Sequence, residues 1–415
     1  MKKIFLSVMF VFVGLIFISC GGGAKSSANK DLEYWTFFTG GDGEFMRELV
    51  NKYNEENPDN KVNMIIVDWG TYYTKLSTAY LGNTLPDIGV AHLHMLSSIL
   101  TYGDLTAIDE IDPSFDWAQF PQQTVDNITI DGKHLAVPFD THGWIMYYNP
   151  DLVKGTSLVD ANGNWICNSW EGLEKGLAEI KALHPDVMPI SINNPDTAFQ
   201  WTWYSLYKQA GGEKFLDANG LLELDEEPAK KSLDALKSIF DKGFASKGHN
   251  STLDFMKEKK AAIAFEGVWT YGAMKAAVPN MKATRMPNFF GKDVAWGTGH
   301  AFIFPKGNNV DPERQKKALK FAQYLVDNGV LWSQAGHIPA KIAVQESEEY
   351  KNSPNSVYKD LAVNLAPWPK SQYIDIAIGG QISIVANYID QYLNGSITTI
   401  KDLVSKINTE IETKK

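Results

Sequence analysis

The side chains best suited to chemistry fall in short, separated clusters. His92 and His94 stand as H-x-H in "VAHLHM", and Asp140 and His142 as D-x-H in "PFDTHG". On a strand, alternate residues share a face, so each pair could aim two side chains at one point. Such a His/Asp set could hold a metal ion. It could equally donate hydrogen bonds to hydroxyls or satisfy buried carbonyls. No cysteine and no closely spaced third histidine completes a zinc pattern, so no metal and no cofactor is expected. Asp140 with Glu266 could also be imagined as the carboxylate pair of a glycosidase. No nucleophile elbow, zinc motif or nucleotide loop accompanies them, so no enzyme is expected.

Aromatic residues and acceptors recur together. "YWTFFTGGDGEFM" places Phe38, Thr39 and Asp42 at the mouth of a turn between an apolar run and a helical one. Asp42 could accept hydroxyl hydrogens from a ligand, with Phe38 packing on a ring; it would also serve as a plain helix N-cap. The glycines of "GGDG" fit neither GxGxxG nor GxxxxGK[ST], which argues against a phosphate cradle. Trp201 and Trp203 cannot share one side of a helix, so at most one of them faces a ligand. Trp269 lies in "FEGVWTYG", three residues after Glu266. Trp165, Trp170 and Trp332 are expected in the core.

The elements that must position these residues alternate. Leu32–Phe38 reads as a strand. Phe45, Met46, Leu49, Val50 and Tyr53 recur near 3.6 residues and predict a helix ended by Asn57-Pro58. Lys61–Val67 predicts a second strand, parallel to the first because a helix intervenes. Ligands of such sheets sit beyond the carboxyl ends of strands, where Thr39–Gly43 lies. Tyr72–Asn83 reads as helix and Leu85–Met95 as a short strand and turn. Longer helices are predicted over Pro228–Gly243, Pro312–Gly329 and Ile397–Glu412. Strand-like runs near Gly299 come long after the first unit is complete, as in a chain that crosses back between two lobes.

Composition narrows the function. The chain has 415 residues, 44% hydrophobic, with a formal net charge of −10. That is core enough for about two domains. The acidic balance gives no support to nucleic-acid binding. Only three arginines occur, Arg47, Arg285 and Arg314, which disfavours a strongly anionic ligand. At the N-terminus, Lys2-Lys3 precedes an uncharged, mostly apolar stretch from Ile4 to Ile18, too short to span a bilayer at the ~20 residues required. "FISCGGG" follows and looks like a bacterial lipoprotein cleavage site, with Phe17 in place of the usual leucine. Residues 1–19 are then a signal peptide, Cys20 the lipidated first residue, and 20–30 a flexible tether. Cys167, the other cysteine, is expected to be a free thiol.

Taken in order, "YWTFFTGGDGEFMRELVNKYNEENP", "YYTKLSTAYLGNTLPDIGVAHLHML", "AVPFDTHGWIMYYNPDL", "WYSLYKQAGGEKF", "KKAAIAFEGVWTYG", "GHAFIFPKG" and "WSQAGHIPA" resemble extracellular solute-binding proteins of family 1, the maltose-binding-protein-like receptors of ABC importers. The resemblance covers about Leu32 to Glu412. It implies an α/β, two-lobed periplasmic-binding-protein fold of type II with a ligand cleft between lobes joined by chain crossings. Residues 31–144 and 297–336 would form the first lobe, and 145–296 and 337–415 the second. It implies capture of a carbohydrate, an oligosaccharide or other neutral sugar, by hinge closure. A receptor for a metal or other small solute, or a secreted glycoside-processing enzyme, is the alternative. The implied partners are the membrane permease subunits, and the implied location is the membrane exterior, held by lipid. The positions matching His92, Asp140 and His142 fall on the cleft side of the first lobe. Trp269 matches a Gly-x-Trp element whose indole lies against a sugar ring; the C–H face of a pyranose is apolar and its rim carries hydroxyls, so Glu266 beside the indole suits both surfaces. Gly299-His300 matches the point where the chain re-enters the first lobe. His337 is expected beside a hinge, and Trp368 and Tyr373 lie where a late contact often falls.

Overall fold

A computed structural model describes residues 31–415, except 195, 249–251, 354, 357, 358, 360–363 and 381. The expected signal peptide, Cys20 and the tether lie outside the described residues. Asp31–Lys415 form one compact unit built on two sheets.

The first sheet begins with strand β1 (Leu32–Thr36), helix α1 (Gly43–Glu56) and strand β2 (Val62–Ile66). β1 and β2 run parallel with Leu32 opposite Val62, as a strand–helix–strand unit requires. Met46, Leu49, Val50 and Tyr53 bury the inner face of α1. Helix α2 (Tyr72–Gly82) follows and is closed by Asn83, whose φ of 49° sits in the left-handed region that asparagine tolerates. It leads to β3 (Ile88–His92), which pairs parallel to β1. β4 (Ala136–Pro138) lies at the far edge.

One residue later the chain enters the second sheet. β5 (Asp140–Tyr148) is its central strand. β5 is buried along nearly its whole length, and its second half is an unbroken apolar run from Trp144 to Tyr148. Helix α3 (Trp170–Leu183), β6 (Met188–Ser191), α4 (Thr197–Gln209), α5 (Glu226–Asp241), β7 (Ala261–Gly267) and β8 (Lys282–Arg285) follow. β7 pairs antiparallel to β5, with Glu266 opposite Ile145 and Gly267 opposite Trp144. β9 (Ala295–Thr298) also pairs with β5, with Thr298 opposite His142. After Gly299, β10 (His300–Ile303) re-enters the first sheet between β3 and β4, with His300 opposite His92. Helices α6 (Pro312–Asp327) and α7 (Gly329–Ser333) then lead to β11 (Ile338–Pro339), which returns to β5. Residues 144 and 297, expected ends of first-lobe segments, lie within β5 and β9, both in the second sheet.

The crossings meet closely, and glycine permits it. A Cβ at Gly299 would lie 2.3 Å from the carbonyl oxygen of Asp140, on the neighbouring crossing. Gly336 has φ of +104°, and a Cβ there would meet the Val268 carbonyl oxygen. The predicted long helices are present within two or three residues, at Glu226–Asp241, Pro312–Asp327 and Ile400–Lys414. Among the described residues no helix is long and apolar enough to cross a membrane.

Candidate functional site

The main cavity, about 400 Å³, opens where the two sheets face each other at the crossings. The first sheet contributes the end of β1, where the chain turns into α1. Phe38, Thr39 and Asp42 line the cavity there. Asp42 precedes α1 but makes no side-chain cap, so its carboxylate is left to the cleft wall. Its Oδ1 has no hydrogen-bond partner among the described residues, and its Oδ2 lies 3.5 Å from His337 Nε2. His92 ends β3 and His94 follows in a 3-10 turn; their rings stack with centroids 5.3 Å apart. Both line the cavity.

The second sheet contributes aromatic surface. Trp201 on α4 stacks on Trp296 of β9, with centroids 4.6 Å apart and planes 9° apart. Trp269 stands nearly perpendicular to Trp201, at 86° and 5.5 Å, so the two indoles form a corner. Trp203, one helical position pair further on, is buried in the core, stacked on Tyr207, and does not reach the cleft. The 3.6-residue turn gives the reason: a spacing of two places the side chains on nearly opposite helix sides.

Glu266 lies beside this corner, 5% exposed. Its Oε1 accepts from Gly267 N–H at 2.9 Å and its Oε2 from Asn193 Nδ2 at 3.1 Å. Burial pushes its carboxyl up to about 7, against those two hydrogen bonds, and the charge of Asp196 adds to the rise. Asp196, the N-cap of α4, is itself pushed up to about 6 by burial. No Lys or Arg is found among the described residues lining the cavity. All three arginines pair with carboxylates elsewhere: Arg47 with Glu44, Arg285 with Asp293 and Arg314 with Asp87.

Asp140 is fully buried and stands behind the cavity wall rather than on it. It accepts from Trp332 Nε1 at 2.7 Å, His300 N–H at 3.0 Å, His300 Nδ1 at 2.9 Å and His142 Nδ1 at 3.2 Å. Burial opposes its ionisation, but the positive potential of His300 and His337 and these hydrogen bonds outweigh it and hold the carboxyl well below the usual carboxylate range. His142 and His300 face the cavity in front of it, stacked 4.1 Å apart. Burial holds His142 and His94 down at about 3 and His92 well below its ordinary value. Gly299 is the crossing itself and does not line the cavity. His337, expected beside a hinge, lines it.

Ligand atoms of Asp140, His142, His300 and His337 lie within 4.8 Å of one another. A tetrahedral zinc with bonds of ~2.0–2.1 Å would hold its donors about 3.3 Å apart. The short approaches here are those between imidazole or indole N–H and one carboxylate, which describes a hydrogen-bonded anion. His92 and His94, the pair that could have held a metal, are not part of this group.

The matching model for bacterial extracellular solute-binding proteins covers residues 48–357. The chain belongs to that family. The solute-binding protein is 27% identical over 373 residues to the arabinooligosaccharide-binding protein of Bacillus subtilis, covering 85% of this chain and 83% of that one. It is 24% identical over 367 residues to a maltooligosaccharide ABC transporter solute-binding lipoprotein of Streptococcus pneumoniae, covering 81% and 80%. In fold it is similar to the GacH receptor of Streptomyces glaucescens, with a TM-score of 0.79, 16% identity and coverage of 92% and 97%. It is also similar to the maltotriose-binding protein of Thermus thermophilus, with a TM-score of 0.75, 18% identity and coverage of 92% and 100%. The two-lobed α/β fold and the role of extracellular solute-binding protein follow.

Sequence reasoning missed several residues that line the cleft of this solute-binding protein. Trp69 and Tyr73 flank the start of α2, and Asn193, Gln200 and Trp296 face the second-sheet wall. Trp296 had a legible signal, because its residue pair Trp296-Gly297 lies just before the Gly299 crossing. The others had none: only the return of distant strands brings them to one wall.

Proposed function

We propose that this protein captures a neutral carbohydrate in the cleft and delivers it to the permease of an ABC importer. The carrying observation is the right-angled Trp201/Trp269 corner beside Glu266. Indole faces suit the apolar C–H face of a sugar ring, and carboxylates and neutral imidazoles suit its hydroxyl rim. The absence of Lys and Arg among the described lining residues argues against an anionic ligand. Relatives that bind arabino- and maltooligosaccharides support the same class. Phe38, Thr39, Asp42, His92, His142, Trp201, Glu266, Trp269 and His300 are the proposed contacts. Asp140 acts from behind the wall.

The two sheets carry the two lobes, and the crossings at Phe139, Gly299 and the Ser333–Ile338 segment form the hinge. Ligand touches both lobes fully only when they close, so binding shifts the open–closed balance. The protein is held outside the membrane by lipid on Cys20. Turnover is not part of this reading: its relatives are binding proteins, and Asp140 does not face Glu266 across the cleft. A thermal-shift screen of mono- and oligosaccharides, each with and without EDTA, tests it. A ligand at 100 times its Kd should stabilise by ~2.7 kcal/mol. The reading fails if no saccharide shifts the melt, if saccharide is cleaved, or if EDTA abolishes the shift and zinc restores it.

A further inference from the structure

Two histidines on the cleft wall are held by different partners, and the partners dictate where each ring carries its hydrogen. On β5, Asp140 is fully buried and ionised, and a carboxylate only accepts. His142 Nδ1 lies 3.2 Å from its Oδ1, so that nitrogen carries the hydrogen. His142 is neutral, being held down at about 3 by burial and the neighbouring imidazoles. Its Nε2 is then a bare lone pair, and the ring lines the cavity.

At the end of β3 the arrangement is reversed. The hydroxyl of Tyr73 accepts from the His92 backbone N–H at 3.0 Å. The same hydroxyl lies 2.8 Å from His92 Nδ1. With its oxygen serving the backbone, the hydroxyl has its own hydrogen to donate, and Nδ1 is the acceptor beside it. His92 is also neutral, so its hydrogen resides on Nε2. The two rings both line the cavity, 5.9 Å apart and 70° to each other.

We propose that Tyr73 and Asp140 are positioning residues that set His92 and His142 to opposite tautomers, so that the wall offers an Nε2–H donor beside an Nε2 acceptor and selects a ligand bearing neighbouring hydroxyls. A hydroxyl both donates and accepts, so a pair of them satisfies both nitrogens. A carboxylate or phosphate would meet the lone pair of His142, and an ammonium would meet the N–H of His92. Either mismatch leaves a desolvated polar group unpaired, which is where strong discrimination arises. The inference rests on the carbohydrate reading for its ligand class, but the tautomers themselves exist without ligand.

The test has two arms. In the first, the ligand-free protein is labelled with 15N-histidine, and long-range imidazole NMR correlations are read, with His92→Gln and His142→Gln assigning the signals. His142 should be protonated at Nδ1 and His92 at Nε2. Tyr73→Phe should abolish the His92 preference and leave His142 unchanged; Asp140→Asn should do the reverse. Should Asp140→Asn not fold, Tyr73→Phe still decides. A merely structural role for Tyr73 would leave the His92 tautomer in place, and that result overturns the proposal. So does a wild-type spectrum with both rings in one tautomer, or His142 signals that move on adding EDTA, the mark of a bound metal. In the second arm, maltotriose and arabinotriose are titrated calorimetrically against tri-galacturonic acid. A neutral trisaccharide should bind at least tenfold tighter than the uronate, and Tyr73→Phe should lose at least tenfold in that affinity. Tighter uronate binding overturns the inference. If neither neutral sugar nor uronate binds and no saccharide of the wider screen shifts the melt, the carbohydrate reading falls while the spectra still decide the tautomers.

Discussion

Replacing Glu266 by Gln should flatten the pH dependence of stability, and the size of the change follows from the site. Glu266 stands on β7, 5% exposed, with Asp196 close enough to raise its carboxyl further. Its carboxyl rises from an ordinary 4.5 to about 7 in the folded protein. The folded state therefore keeps a proton that the unfolded chain gives up between those values. Stability from this group is complete below about 4.5 and is lost as pH rises through about 7. At about 1.4 kcal/mol per pH unit, the gap is worth roughly 3 kcal/mol. Glutamine has the same shape and no proton to lose, and it still offers one oxygen to Gly267 N–H or Asn193 Nδ2. Urea unfolding of both proteins at pH 5, 6, 7 and 8, without ligand, reads the difference directly. The wild type should lose about 3 kcal/mol relative to the variant between pH 5 and 8, and the variant should be the more stable at pH 8. Asp196, pushed up to about 6, titrates in both proteins and largely cancels in the comparison. Parallel pH profiles would show that Glu266 is ionised throughout and that burial does not govern it.

Trp269→Ala should weaken saccharide binding at least tenfold, about 1.4 kcal/mol, with a small change in ligand-free melting, because Trp269 is only partly buried at the cleft. Trp203→Ala is the contrast: the fully buried ring should cost ~3–5 kcal/mol of stability, and a variant that folds should bind normally in calorimetry; a large affinity loss there would place Trp203 in the site after all. Cys20→Ser should release the protein from the membrane fraction or leave the signal uncut, and unchanged membrane retention with a normally cut signal would rule out lipid anchoring at that residue.

What the sequence determined by itself is mostly local. The 3.6-residue spacing of Met46, Leu49, Val50 and Tyr53 sufficed for α1, because an apolar stripe has one way to be buried. The strand–helix–strand order of β1, α1 and β2 sufficed for a parallel pair, since that connection needs a crossover. Residues on such carboxyl-end turns, Phe38, Thr39 and Asp42, were legible as cleft residues for the same reason. Tertiary structure decided what depends on contacts distant in sequence. Whether Asp42 caps α1 or faces the cleft turned on a backbone angle and on His337, almost three hundred residues away. Trp201 was separated from Trp203 only by which face of α4 meets β9. Asp140 was legible as a cleft-side candidate paired with His142, but its retreat behind His142 and His300 depends on Trp332 and His300 arriving from other segments to hydrogen-bond it. A buried carboxylate needs donors, and the donors for this one are brought by the fold.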